Sequence, residues 1–76
     1  MKDFLETIVK SILGSDEYTI EEDDKKFEVK YTVTAKGNDL GKLIGRGGNT
    51  AKAIRTVVRA LNESDKKIYI EFVEEK

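Results

Sequence analysis

The sequence predicts an α+β two-layer sandwich in which three helices cover one face of a three-stranded mixed sheet, in the order α-β-β-α-α-β. Three observations lead to this prediction. Apolar residues recur at helical spacing near the start of the chain and again after residue 49, strict alternation marks residues 27–35, and a glycine cluster separates the two later helices. The 76 residues are enough for one small domain, which we expect to span residues 1–76.

The first element is an amphipathic helix over Asp3 to Leu13. Its apolar residues form a single stripe, made of Phe4, Leu5, Ile8, Val9, Ile12 and Leu13. Asp3 can cap the first turn, with Glu6 three residues later as in a capping box. Gly14 is expected to end the helix, because glycine adopts the left-handed conformation at little cost.

Two strands follow, over Tyr18 to Glu22 and Phe27 to Ala35, and the four polar residues between them suit an antiparallel hairpin. The second strand alternates strictly, so that one face carries Phe27, Val29, Tyr31, Val33 and Ala35. A third strand begins at Ile68, with Ile68, Ile70 and Phe72 on the inner face. It follows a two-helix crossover, and a parallel pairing with the second strand makes the sheet mixed.

Two helices occupy the middle of the chain. Asn38 or Asp39 is a candidate cap for a short helix over Leu40 to Ile44, and Asn49 for a longer one that runs to about Asn62. The apolar side of the longer helix consists of Ala51, Ile54, Val57, Val58 and Leu61, and the opposite side carries Lys52, Arg55 and Arg59.

Charge is distributed unevenly along the chain, although the formal net charge is only −1. From Leu40 to Asn62 there are five basic residues and no acidic one, whereas the remainder carries nine basic and fifteen acidic residues. A binding patch needs only local potential, so this segment is the candidate surface for a polyanion. Arg55 and Arg59 also fit an ordinary solvated helix face.

Composition excludes several classes of function. The chain has no His and no Cys, which removes serine triads, cysteine proteases, zinc hydrolases and haem sites with a His ligand. We therefore expect no enzyme, no cofactor and no metal site. No apolar run approaches the roughly 20 residues of a membrane span, and the N-terminus lacks a secretory pattern, so a cytoplasmic protein without membrane contact is expected.

The glycine cluster ends in Gly45-Arg46-Gly47-Gly48, between the two later helices. Glycines let one helix end and the next begin at a sharp angle, which explains Gly45 and Gly48. Bare Gly47 beside a cation fits a second use, in which an anionic polymer backbone approaches the turn closely. Rival motifs fail: no register gives a Walker A loop, and a dinucleotide fingerprint would need glycine at Thr50.

The run Gly41-Lys42-Leu43-Ile44-Gly45-Arg46-Gly47-Gly48-Asn49-Thr50-Ala51-Lys52-Ala53-Ile54-Arg55 resembles the signature of a KH domain, an apolar-Ile-G-x-x-G segment between two helices. The helix and strand that precede this core match the bacterial type II arrangement, and the resemblance covers essentially the whole chain. It implies binding of single-stranded RNA by a loop that clamps about four nucleotides. The second variable loop position is Gly47, where such loops often carry a larger polar or basic residue.

The resemblance assigns roles to three groups of residues. The loop residues Gly45, Arg46, Gly47 and Gly48 would hold the sugar-phosphate backbone. Candidates for the apolar floor of the groove are Leu40, Leu43, Ile44, Ala51 and Ile54, although Leu43, Ile44 and Ile54 also suit a purely core role. Candidates for the groove and its rims are Lys42, Lys52, Arg55, Lys66 and Lys67.

The resemblance further implies pairing with a second copy or with a larger KH-containing protein, and a role in post-transcriptional control. One alternative function remains open at this point, a protein-interaction or dimerisation module whose RNA groove is vestigial. Net acidity and the bare Gly47 keep that alternative open.

Overall fold

The computed structural model describes residues 1–75, and Lys76 lies outside the described residues. It confirms the predicted α+β architecture and element order. The elements are α1 (Lys2–Leu13), β1 (Tyr18–Asp24), β2 (Glu28–Ala35), α2 (Gly37–Ile44), a 3-10 turn (Arg46–Gly48), α3 (Asn49–Leu61) and β3 (Lys67–Glu74).

The sheet has the strand order β1-β2-β3 and is mixed, as predicted. β1 and β2 pair antiparallel, with Ile20 opposite Val33, and β2 and β3 pair parallel, with Val33 opposite Phe72. β3 is therefore an edge strand, and its free edge faces α3.

The core lies between one face of the sheet and the three helices. The helices contribute Leu5, Val9 and Leu13 from α1, Leu43 from α2, and Ile54 and Val58 from α3. The sheet contributes Ile20, Val29, Tyr31, Val33, Ala35, Ile68 and Ile70. The hydroxyl of buried Tyr31 donates to Glu22 Oε2 at 3.4 Å. Burial raises the pKa of Tyr31, and the nearby Glu22 carboxylate raises it further.

The helix starts differ from the predicted caps. α1 begins at Lys2, with the Leu5 N–H donating to Met1 O, so Asp3 lies inside the first turn and does not cap it. Likewise α2 begins at Gly37 after Lys36, because β2 leads directly into it, and Asn38 and Asp39 are therefore helical. Asn49 has helical φ and ψ and is the first residue of α3, whereas a capping residue needs an extended conformation.

Phe27 was predicted to lie on the buried face of the second strand, and the structure corrects this. The register pairs Asp24 with Val29, and the Lys25 N–H donates to Glu28 O, which leaves Phe27 in the hairpin loop. Its ring is 75% exposed and lies under the ammonium group of Lys26, 5.3 Å from the ring centroid. The alternation of β2 is otherwise confirmed.

The apolar side of α3 is only partly covered. Ala51, Ile54 and Val58 are buried as predicted, but Val57 and Leu61 are exposed. α1 lies beside α3 without closing over it. An open groove of about 350 Å³ remains between them, lined by Phe4, Ile8, Ile12, Thr50, Ala53, Ile54 and Val57.

Candidate nucleic-acid interface

The Gly45–Gly48 turn connects α2 to α3 through three glycines with positive φ. Gly45 ends α2 at φ 76° and ψ 174°, and its N–H donates to Gly41 O. Gly47 and Gly48 are left-handed, with φ of 65° and 81°. The Gly48 N–H donates to Gly45 O at 3.2 Å, which closes the turn. The Asn49 N–H, the first of α3, donates to Arg46 O, so the turn places the N-terminal end of α3 directly beside the loop.

The three loop glycines differ in what surrounds them. A Cβ at Gly45 would lie 2.8 Å from the Thr50 backbone nitrogen and closer still to the Thr50 side chain. The conformation of Gly45 is also one that only glycine adopts readily. A Cβ at Gly47 or Gly48 would meet no atom within 4 Å. Gly45 is thus required by the fold, whereas Gly47 and Gly48 face open space where a polymer backbone can approach.

Exposed cations surround this turn. Arg46 is exposed within it, Lys52 is exposed on the first turns of α3, and Lys42 is exposed near the end of α2. Lys42 Nζ lies 4.0 Å from Asp39 Oδ1 on the same helix, a partly solvated pair of little strength. The cations can therefore reorient toward an anion at the turn.

The predicted apolar floor divides into core and surface residues. Leu43, Ala51 and Ile54 are buried, at 0%, 4% and 4% exposure, and they support the site from below. Ile44 is 36% exposed. A purely core role for Ile44 is therefore wrong, because as the last residue of α2 it lies at the rim of the packing. Ile44 and half-buried Leu40 are the two partly exposed apolar side chains of α2 in this region.

Arg55 is half-buried and Arg59 is exposed, and both side chains contact the backbone of β3. Arg55 Nε donates to Ile70 O at 3.2 Å and Arg59 Nε donates to Ile68 O at 3.4 Å, so both side chains reach from α3 to the free edge of β3. The guanidinium of Arg55 also lies over the ring of Phe72, 5.5 Å from its centroid. This orients Arg55 in the groove between α3 and β3, where its remaining N–H donors are available.

The spacing of the two arginines carries a signal that could have revealed these contacts. Four residues of helix advance about 6 Å, and two residues of strand advance about 6.6 Å. Arg55 and Arg59 therefore match successive outward carbonyls of β3. The sequence did not predict that the Arg55 guanidinium lies over the ring of Phe72, because alternation indicated only that Phe72 faces inward.

Lys66 and Lys67 lie at the far end of the same groove, where β3 begins. Lys66 Nζ forms a salt bridge with Asp24 Oδ1 of β1, and Lys67 is exposed. Arg59 is ten residues along α3 from Asn49, a distance of about 15 Å. The basic residues thus follow one another from the glycine turn along α3 to the start of β3.

This fold and this turn define a KH domain of the type II arrangement, with a G-x-x-G loop between two helices on a mixed sheet. Residues 2–72 match the family described as "KhpA/KhpB, KH domain". The chain belongs to this family.

Three relatives of similar length carry the same name. The "RNA-binding protein KhpA" of Oceanobacillus iheyensis is 39% identical over 75 residues, covering 96% of this chain and all of the relative. Proteins of the same name from Chlamydia caviae and Clostridium acetobutylicum are 37% and 36% identical, covering 100% and 96% of this chain and all of each relative. These relatives are named as binding proteins and not as enzymes.

No helix within residues 1–75 is long and apolar enough to cross a membrane. The same residues contain no group of three or more potential ligands that could hold a metal ion.

Proposed function

We propose that this protein binds single-stranded RNA through the Gly45–Gly48 turn and the groove between α2, α3 and β3. The observation that carries the proposal is the turn itself. It presents two open left-handed glycines and exposed Arg46 at the N-terminus of α3, a surface on which a phosphate group can lie without a steric obstacle. The names of the relatives support RNA as the ligand.

In the proposed complex the backbone of about four nucleotides runs across the turn. The Arg46 guanidinium contacts phosphate beside the N-terminus of α3, whose helix dipole favours negative charge, while Lys42 and Lys52 supply charge on either side. The bases enter the groove, where Ile44 offers an apolar contact and the oriented guanidinium of Arg55 offers donors. Leu43, Ala51 and Ile54 hold these groups in place from the core.

No catalytic step is assigned to the protein. It acts on RNA by occupying a short single-stranded segment, which fits a role in post-transcriptional regulation in the cytoplasm. The acidic remainder of the chain limits contacts outside the groove, so that binding depends on the local surface and not on overall charge.

Backbone amide chemical shifts, followed during titration with a random single-stranded RNA pool at low salt, test this proposal. We expect the largest changes at residues 44–55, with smaller changes on β3. The exposed face of the sheet around Lys30 and the α1 surface serve as internal controls. No binding, or changes confined to α1, would contradict the proposal and favour an interaction module without an RNA groove.

We also propose that the protein pairs through the groove between α1 and α3. Phe4, Ile8 and Ile12 face Ala53 and Val57 across it, and Val57 remains 43% exposed. Ala53 and Val57 lie on the side of α3 opposite the arginines, so a partner here leaves the RNA groove free. The partner is a second copy, or the KH domain of a larger KhpB-like protein, in agreement with a family that includes both.

Sedimentation velocity over a range of protein concentrations tests the pairing. Val57→Glu is expected to give a monomer at concentrations where the parent chain dimerises, because a carboxylate in an apolar interface has no partner. Val73→Glu, at another partly exposed valine, is the matched control and should leave the association unchanged. A monomeric parent chain that also fails to bind a KhpB-type KH domain would contradict this part of the proposal.

A further inference from the structure

A second cavity opens at the end of α3 that is distant from the glycine turn. It measures about 270 Å³ and lies where α3 ends and β3 begins, lined by Arg59, Asn62, Lys66, Lys67, Ile68 and Tyr69. Three of these six residues are cations, none is acidic, and one is an aromatic residue that is 43% exposed. Cations combined with an exposed aromatic ring are typical of sites that bind single-stranded nucleic acid.

The charge of the cavity comes mainly from Arg59 and Lys67. Lys66 is held by Asp24, whereas neither Arg59 nor Lys67 forms a salt bridge within residues 1–75. Arg59 uses Nε on the Ile68 carbonyl, which fixes the side chain at the cavity wall and leaves its terminal nitrogens free to bind an anion.

The wall formed by Asn62 is also fixed. Asn62 Nδ2 donates to Lys66 O at 2.9 Å, and its Oδ1 accepts from both the N–H and the hydroxyl of Ser64. The Lys67 N–H donates to Phe27 O, which anchors the start of β3. The cavity is therefore largely formed before a ligand arrives, and little ordering is required on binding.

We propose that this cavity is a subsite for one additional nucleotide, beyond the four or so held at the glycine turn. The base stacks on Tyr69, and its phosphate contacts Arg59 and Lys67. The subsite lies at the end of the α3–β3 groove, about 15 Å along α3 from the turn, so one RNA strand can reach both. This inference rests on the proposed RNA-binding function and extends it to a longer preferred ligand.

Affinity measured as a function of RNA length tests the subsite. The parent chain and Tyr69→Ala are each titrated with oligouridine RNAs of four and eight nucleotides. We expect Tyr69→Ala to weaken binding of the eight-nucleotide RNA roughly 5-fold to 150-fold, the range for loss of one stacked base, and to leave the four-nucleotide RNA unaffected. Tyr69→Phe keeps the ring and should bind both RNAs like the parent chain.

Two controls separate the subsite from other causes. Val73→Ala removes an exposed side chain four residues further along β3, outside the cavity, and should change neither affinity. Arg59→Gln should weaken only the longer RNA and reduce its salt slope by about 0.7, the value for one phosphate contact on a single strand.

The possible failures are distinguishable. A parent chain that binds neither RNA contradicts the proposed function itself. A parent chain that binds both RNAs with unchanged affinity after Tyr69→Ala overturns the subsite alone. Equal weakening of both RNAs by Tyr69→Ala also overturns it, because the ring would then act on the main groove or on the fold.

Discussion

Leu43 and Ile44 are neighbours in α2 but belong to different surfaces, and replacing each with alanine separates the core from the RNA groove. Leu43 has no exposed surface, whereas Ile44 is 36% exposed. Truncation of a fully buried leucine costs about 2–5 kcal/mol, because it removes apolar burial and leaves a cavity. For partly exposed Ile44 the loss is about 1 kcal/mol, since less area is buried and the neighbouring surface is open to water.

These magnitudes are large for a chain of this length. A domain of 76 residues has a free energy of unfolding of about 4–11 kcal/mol. At about 4–8 °C per kcal/mol, Leu43→Ala should lower the melting temperature by roughly 10–20 °C or more, and Ile44→Ala by roughly 5 °C. RNA affinity should respond in the opposite order. Ile44→Ala should weaken binding about fivefold through loss of an apolar base contact, whereas Leu43→Ala should bind normally below its melting temperature.

Thermal melts followed by circular dichroism, together with RNA titrations at a temperature where both variants are folded, measure both effects. Equal destabilisation by the two substitutions would show that Ile44 is a core residue and would refute the assignment of its exposed surface to the groove.

The remaining predictions concern the turn, ionic strength and pH. Gly45→Ala should destabilise the fold by about 2–3 kcal/mol because of the backbone conformation of Gly45 and the contact of the new Cβ with Thr50. Gly41→Ala, at a position in α2 where a Cβ meets no atom within 4 Å, should stabilise the fold by up to about 1 kcal/mol. Chemical denaturation compares the two variants, and equal effects would contradict the strain at Gly45. The logarithm of RNA affinity should fall with the logarithm of salt concentration with a slope of about −2 to −3, at about 0.7 per phosphate contact, and a slope near −8 would indicate a much broader surface. Because the pKa of Tyr31 is raised in the folded protein, the neutral Tyr31 side chain contributes its full stabilisation below about pH 10, and this contribution is lost as the pH rises through the folded pKa. Tyr31→Phe should therefore flatten the decline in the free energy of unfolding at alkaline pH. An unchanged decline would contradict this.

The sequence was informative where structure depends on local pattern. The alternation of β2 identified its buried face because the period of two follows from strand geometry, and the pattern held from Val29 to Ala35. It failed at Phe27, whose position depends on the hairpin register and not on its own neighbours. The predicted caps failed for a similar reason, because Lys36 enters α2 directly from β2 and the helix begins before Asn38.

The candidate site was predictable in part. The turn was located from Gly45–Gly48 alone, since glycine adopts its positive φ values at the least cost. The spacing of Arg55 and Arg59 matches the carbonyl spacing of a strand, but assigning that strand to β3 required knowledge of which sheet edge faces α3. Ile44 could not be assigned from periodicity, because the last residue of a short helix belongs to the core or the surface according to how the next helix packs.

The central claim is that the Gly45–Gly48 turn holds the RNA backbone, and a pair of double variants tests it most directly. Arg46→Asp with Gly47→Asp places two carboxylates where phosphate is expected, and Arg46→Asn with Gly47→Asn is its neutral counterpart. Both double variants carry a similar cost for a left-handed residue at position 47, which Asp and Asn tolerate better than other non-glycine residues. A Cβ at this position meets no atom within 4 Å. Melts and RNA titrations on the same samples should show similar stability, moderately weaker binding for the Asn pair and loss of binding for the Asp pair. RNA affinity retained by a folded Asp pair would contradict the claim and place the binding surface elsewhere on the protein.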